Sequence, residues 1–235
     1  MRIRIPLTLA LGLFWLLPSG CSQDKPEEER FDCANIPSAP LEINQVENGG
    51  DTLRPAGHHD LAFDREGWIT GHHAGALIRA SLEPQRQVLS TAVSTAEGLE
   101  YLPDGRLIVA TKDGQGIVAI SPDGAVVPLE PSRTDAFSII VGPDGRIYTG
   151  DFSGGDLRRI DPATGASENY LNSVPDARVL NFSPDLSKLY VGTFGEQVWV
   201  VDLDKELNPV GTPRRFATLP HGPYVDGLAV DVCGN

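Results

Sequence analysis

Val141-Gly142-Pro143-Asp144-Gly145-Arg146-Ile147-Tyr148 decides the fold, because the chain repeats it. Forty residues earlier stands Tyr101-Leu102-Pro103-Asp104-Gly105-Arg106-Leu107-Ile108. The motif returns later as Phe182-Ser183-Pro184-Asp185-Leu186-Ser187-Lys188-Leu189-Tyr190, and its earliest copy is Leu61-Ala62-Phe63-Asp64-Arg65-Glu66-Gly67-Trp68-Ile69. A fifth begins at Leu228-Ala229-Val230-Asp231-Val232-Cys233-Gly234. In each copy an apolar strand runs into a tight turn and out into a second strand. Proline sets φ, aspartate bonds to the local backbone, and glycine accepts the left-handed conformation. A third strand follows, as in Ala76–Arg79, Ile117–Ile120, Leu157–Ile160 and Val198–Val201, and then a more polar outer one such as Phe216–Leu219. β-Branched residues are frequent and no helical period is sustained.

A four-strand unit repeated about every 40 residues is a propeller blade. The expected fold is therefore all-β: a β-propeller with four complete blades and the start of a fifth. Propellers close into rings, so the full protein is expected to be six-bladed. The alternative is a four-bladed ring in which the stretch from Tyr224 completes a blade.

The N-terminal stretch reads differently. Arg2 and Arg4 precede an uncharged apolar run, Ile5 to Leu17, followed by Pro18-Ser19-Gly20-Cys21. The run is short for a membrane span and ends in small residues, as a cleaved secretory signal does. It resembles the bacterial lipoprotein signal, which implies lipidation of Cys21. Ordinary cleavage, leaving a secreted protein, is the alternative. Residues 22–30 are polar and acidic and suit a solvated tether. The expected organisation is a signal over 1–20, the anchor cysteine, tether and lead-in over 21–54, and the propeller over 55–235. That places the protein in the bacterial cell envelope, on the periplasmic or the outer-surface side, touching membrane only through the lipid.

Loss of residues 1–20 removes two arginines, so the formal charge of −13 becomes −15. Such an acidic chain is poorly suited to nucleic acid or to adsorption on anionic lipid. With Cys21 lipidated, Cys33 and Cys233 remain for a disulfide in an oxidising compartment. Pairing with a cysteine further along a longer chain, or a free thiol, is the alternative.

Repeat symmetry places equivalent positions at the same height and radius around the propeller axis. The residue four before the last apolar position of each first strand gives the column His59, Glu97, Phe137, Arg178 and Asp226. If the first strand is innermost, these side chains converge at one mouth of the central channel, which is where a binding site is expected. Glu97 and Asp226 offer oxygens to a divalent cation such as Ca²⁺. His59 is the candidate base. Arg178 suits an anionic group, or an ion pair with Glu97 or Asp226. A wet channel of internal ion pairs with no ligand also fits. His72-His73 sits in a polar turn, where adjacent side chains diverge, and makes a weak metal site.

Val225-Asp226-Gly227-Leu228-Ala229-Val230-Asp231, Gly142–Tyr148 and Asn181-Phe182-Ser183-Pro184-Asp185 carry a resemblance to the gluconolactonase/regucalcin-like propellers and the neighbouring NHL-type repeats. The resemblance implies a six-bladed ring with one divalent cation, often Ca²⁺, in the channel, and hydrolysis of lactones or related esters. Its implied ligands are a Glu, middle-blade Asn residues and a late Asp. Asp226 matches. His59 stands where Glu is implied, and Phe137 and Arg178 where Asn is implied.

Two functions of different class follow. One is an anchored binding module whose channel mouth takes a small polar or anionic ligand, a glycan or an envelope protein. In that reading His59, Glu97, Arg178 and Asp226 bind the ligand. The other is a metal-dependent lactonase-type hydrolase, with Asp226 and Glu97 on the metal and His59 as base.

Overall fold

In a computed structural model, residues 60–81, 86–151, 156–220 and 224–234 are described. Their strands fall into four antiparallel sheets, each made of four strands consecutive in sequence. The first blade comprises β1 (Leu61–Phe63), β2 (Ile69–His73), β3 (Ala76–Ala80) and β4 (Arg86–Ser90). The second comprises β5 (Leu99–Tyr101), β6 (Leu107–Ala110), β7 (Ile117–Ile120) and β8 (Val126–Glu130). The third comprises β9 (Ala136–Val141), β10 (Ile147–Asp151), β11 (Leu157–Ile160) and β12 (Ser167–Leu171). The fourth comprises β13 (Ala177–Phe182), β14 (Lys188–Thr193), β15 (Gln197–Leu203) and β16 (Pro209–Thr218). The first strands touch one another in succession, β1 to β5, β5 to β9 and β9 to β13, so they form the inner wall.

The turns between first and second strands form as the motif dictates. Gly145 has φ 75° and Gly105 φ 90°, and their N–H groups donate to the Gly142 and Leu102 carbonyls at 2.9 Å. In the fourth blade Leu186 holds the equivalent place with φ 59°. A Cβ there crowds the backbone. Asp185 stabilises this turn by accepting from Ser183 Oγ at 2.6 Å and from Ser187 N at 3.1 Å.

Every residue of β6, β7 and β10 is buried, because a blade on each side covers both faces of these strands. Leu77, Val93, Leu99, Leu107, Val109 and Val118 fill the space between the first two blades. Ile108, Ile117, Ile139, Ile147 and Ile160 fill the next. Tyr148, Leu157, Leu180, Leu189 and Val191 fill the third, with the Tyr148 ring edge-on to Tyr170 and Phe182. Outer strands are wetter, and Val88, Val127 and Phe216 stand exposed on them. Leu61 and Phe63 of β1 are exposed too, on the side where no described blade lies.

Neighbouring blades approach to backbone contact. A Cβ on Gly98 would lie 2.6 Å from Ile139 N and 2.7 Å from Phe137 O. A Cβ on Gly150 would lie 2.5 Å from Arg178 O. Glycine is needed at both points because only hydrogen fits.

The fifth repeat departs from expectation. Its turn forms, with Gly234 N donating to Asp231 O at 3.0 Å, but Leu228–Val230 is not a strand. A strand exists by pairing, and among the described residues no strand beyond β16 is there to pair with it. The segment instead docks on the fourth blade: Val225 N donates to Thr193 O, and Val225 packs with Phe137, Val179 and Val198. The expected signal, tether and lead-in lie outside the described residues.

Candidate functional site

A cavity of about 520 Å³ opens between the inner strands. Phe137, Arg178, Glu97 and Asp226 all line it, so four of the five column positions converge as repeat symmetry predicts. His59, Cys21 and Cys33 lie outside the described residues. Cys233 is described, in the last turn, and is disulfide-bonded.

Three of the four, Glu97, Arg178 and Asp226, are held in ion pairs. Lys112 Nζ lies 2.6 Å from Glu97 Oε1, and Arg178 Nη2 lies 2.7 Å from Asp226 Oδ1. In each pair one partner is buried and the other reaches solvent: Glu97 is 4% and Lys112 36% exposed, Arg178 5% and Asp226 58%. Rings fix the guanidinium. Its Cζ lies 3.8 Å from the Phe137 ring centre, 4.7 Å from Tyr224 and 5.3 Å from Phe194. Phe194 and Tyr224 stack on each other, with centroids 5.4 Å apart. Cation–π contact holds a guanidinium in place while leaving its edge for carboxylates.

Below these pairs the wall is acidic. Asp60 accepts from Leu61 N at 2.9 Å and, across the blade boundary, from Leu99 N at 3.2 Å. Burial pushes its carboxyl above the usual range, against the pull of those two N–H groups. Burial also raises Glu100, and the Asp60 charge adds to that. Asn181 donates to the Leu228 carbonyl at 3.2 Å.

Another buried ion pair stands at the end of β10, where Asp151 pairs with Ala136, the residue before Phe137. Arg133 Nη2 lies 2.8 Å from Asp151 Oδ2 and donates to Asp156 O at 2.8 Å. Asp151 Oδ1 is buried with no hydrogen-bond partner among the described residues. Burial pushes this carboxyl up to about 6; Arg133 opposes the shift and Asp135 and Asp156 add to it.

Sequence reasoning found Glu97, Arg178 and Asp226 and missed Lys112, Phe194, Tyr224, Asp60 and Glu100. A signal existed for two of them. Lys112 and Phe194 follow the equivalent threonines Thr111 and Thr193, where second strands end beside the column. For Tyr224, Asp60 and Glu100 no repeated pattern marks the position.

The carboxylates expected to hold a divalent cation are thus each engaged by a side-chain cation. Calcium needs six to eight oxygen ligands, carboxylates prominent among them. Among the described residues no group of three or more His, Cys, Asp or Glu could hold a metal ion. Glu97 and Asp226 as arranged do not supply such a ligand set: Lys112 engages Glu97 Oε1 and Arg178 engages Asp226 Oδ1.

The four-stranded blades, with their first strands in succession, define a β-propeller fold. Residues 138–235 match the family described as SMP-30/Gluconolactonase/LRE-like region. No curated protein matches the chain. Among solved structures, a gluconolactonase from Xanthomonas campestris is 18% identical with a TM-score of 0.64, over 75% of this chain and 67% of that one. A calcium-binding protein, regucalcin, from Agrobacterium tumefaciens is 19% identical with a TM-score of 0.59, over 75% of this chain and 64% of that one. An auxiliary nutrient binding protein from Bacteroides ovatus is 17% identical with a TM-score of 0.55, over 67% and 41%. At these identities the likeness is one of fold. The chain spans 67% or less of the length of these three structures.

Proposed function

We propose that the protein is an envelope-anchored propeller that binds a small polar ligand at its channel mouth and does no chemistry on it. The observation that carries this reading is the pairing of Glu97 with Lys112 and of Asp226 with Arg178 around an open cavity. Such a mouth offers charged donors and acceptors and aromatic faces. The ligand is a polar small molecule or a glycan end, with hydroxyls or a carboxylate to exchange against the resident ion pairs. An envelope protein presenting such a group would meet the same mouth. The lipoprotein-like sequence ending at Cys21 supports the anchoring.

A second reading is favoured by the family match over residues 138–235. In it the protein is a lactonase-type hydrolase. Asp226 and Glu97 would leave Arg178 and Lys112 to hold a divalent cation, which polarises a carbonyl and lowers the pKa of water when bound. His59 would take the proton.

Full-length protein incubated with sugar lactones and millimolar Ca²⁺, Mn²⁺ or Zn²⁺ tests the choice. The binding reading expects hydrolysis at the uncatalysed rate, with ligand-observed NMR contacts to saccharides or sugar acids that vanish in Arg178→Ala. Turnover abolished by Asp226→Asn overturns it in favour of the hydrolase.

A further inference from the structure

We propose that Arg133 and Asp151 form a pH-operated latch behind the channel mouth, closed while Asp151 is charged and opened when it takes up a proton. The inference does not depend on what the mouth binds.

The repeats show what the fold itself needs at these two positions. Arg133 stands four residues before Phe137. The two neighbouring blades have Val93 before Glu97 and Val174 before Arg178, both buried. Asp151 ends β10 where those blades have Thr111 and Thr193. Each threonine donates its hydroxyl to a carbonyl at the entry to the third strand: Thr111 to Gly116 O at 2.9 Å, Thr193 to Gln197 O at 3.2 Å. A carboxylate cannot donate. In the third blade Arg133 donates instead, giving Nη2 to Asp156 O at 2.8 Å while pairing with Asp151 Oδ2 at 2.8 Å. Valine and threonine need no counter-charge, whereas a buried ion pair must offset the desolvation of both partners. The third blade thus carries a titratable pair at a place where its neighbours manage without one.

Asp151 is the half that titrates. Its Oδ1 is buried without a hydrogen-bond partner among the described residues. Burial pushes its carboxyl up to about 6, with Arg133 opposing, Asp135 and Asp156 adding and Arg158 opposing. From β13, Arg178 meets Gly150 through its carbonyl, and its guanidinium is turned to Asp226. Protonation ends the charge attraction between Asp151 and Arg133. The new O–H can then donate to Asp156 O, as the threonines do in their blades. Because Arg133 in place lowers the Asp151 pKa, protonation favours the arrangement in which Arg133 has turned away. Asp151 faces Ala136 across β9 and β10, and the next residue, Phe137, lies 3.8 Å from the Arg178 guanidinium. Opening the latch therefore loosens the strand end that carries an aromatic wall of the mouth.

Hydrogen exchange of the full-length chain, read by mass spectrometry and corrected for the intrinsic pH dependence of amide exchange, tests this. Between pH 7.5 and 5, residues 131–138 are expected to lose protection about three- to tenfold, the effect of up to roughly one pKa unit held by Arg133. Residues 91–98 and 172–179 of the neighbouring blades are expected to keep theirs. Asp151→Asn, which cannot ionise, is expected to show no pH dependence in 131–138. Arg133→Val/Asp151→Thr gives the third blade its neighbours' residues; it is expected to fold and to lose the pH dependence too, so the test stands if the single variant does not fold. Unchanged protection in wild type, a fall shared by all three segments, or a pH dependence that persists in the double variant overturns the proposal.

Discussion

Asp151→Asn is expected to stabilise the protein at neutral pH, although it removes one half of a buried ion pair. The wild-type carboxyl is 8% exposed, and its pKa is raised from 3.8 to about 6. Burial outweighs the attraction of Arg133, so the native state prefers Asp151 protonated. A carboxyl whose folded pKa is raised binds more protons in the native than in the unfolded state between the two values. Its contribution to stability therefore falls as pH rises from about 4 to about 6 and stays low above that. Two pKa units set a ceiling of about 3 kcal/mol, and solvent screening brings it nearer 1–2 kcal/mol. Asparagine mimics the protonated acid: its Oδ1 still accepts from Arg133, and its amide adds a donor. Denaturant unfolding of both proteins from pH 4.5 to 8 isolates the effect, since the other carboxylates cancel in the difference. The variant should gain about 1–2 kcal/mol at pH 7.5, and the gain should vanish toward pH 4.5. Destabilisation at pH 7.5 would show that the ion pair outweighs the burial of its charge and would refute the reasoning.

Other substitutions probe the frame. Leu186→Gly should stabilise by about 1 kcal/mol, because glycine accepts the positive φ that leucine tolerates at a cost; equilibrium unfolding reads it. Gly98→Ala should cost roughly 2 kcal/mol or more, since the new methyl meets backbone rather than a side chain that can move, and thermal melting will report it. Tyr148→Phe should cost about 1 kcal/mol by deleting the 2.8 Å bond to Asp144 Oδ2, whereas Tyr148→Ala should cost about 3–5 kcal/mol through the cavity left among Tyr170 and Phe182.

Most of the frame was legible in the sequence because each blade is a local structure. Pro143-Asp144-Gly145 fixes a turn by itself, and the strands either side pair through it. The mouth was half legible. Glu97, Arg178 and Asp226 follow from register, since symmetry carries a position around the axis without any contact being known. Which charge meets which does not follow. Lys112 reaches Glu97 from the far end of another strand, and Tyr224 reaches Arg178 across 46 residues of chain. Leu228–Val230 failed as a strand for a related reason: pattern supplies the propensity to be a strand, but only a partner supplies its hydrogen bonds.

The backbone contacts at Gly98 and Gly150 have a consequence for how such a protein changes over time. At these two points neighbouring blades meet main chain against main chain, so no side chain sets the spacing there. Exchanging the exposed Asp226 alters the charge at the mouth and leaves those backbone contacts as they were. Charge at the mouth can thus change at exposed positions while the blade spacing is kept.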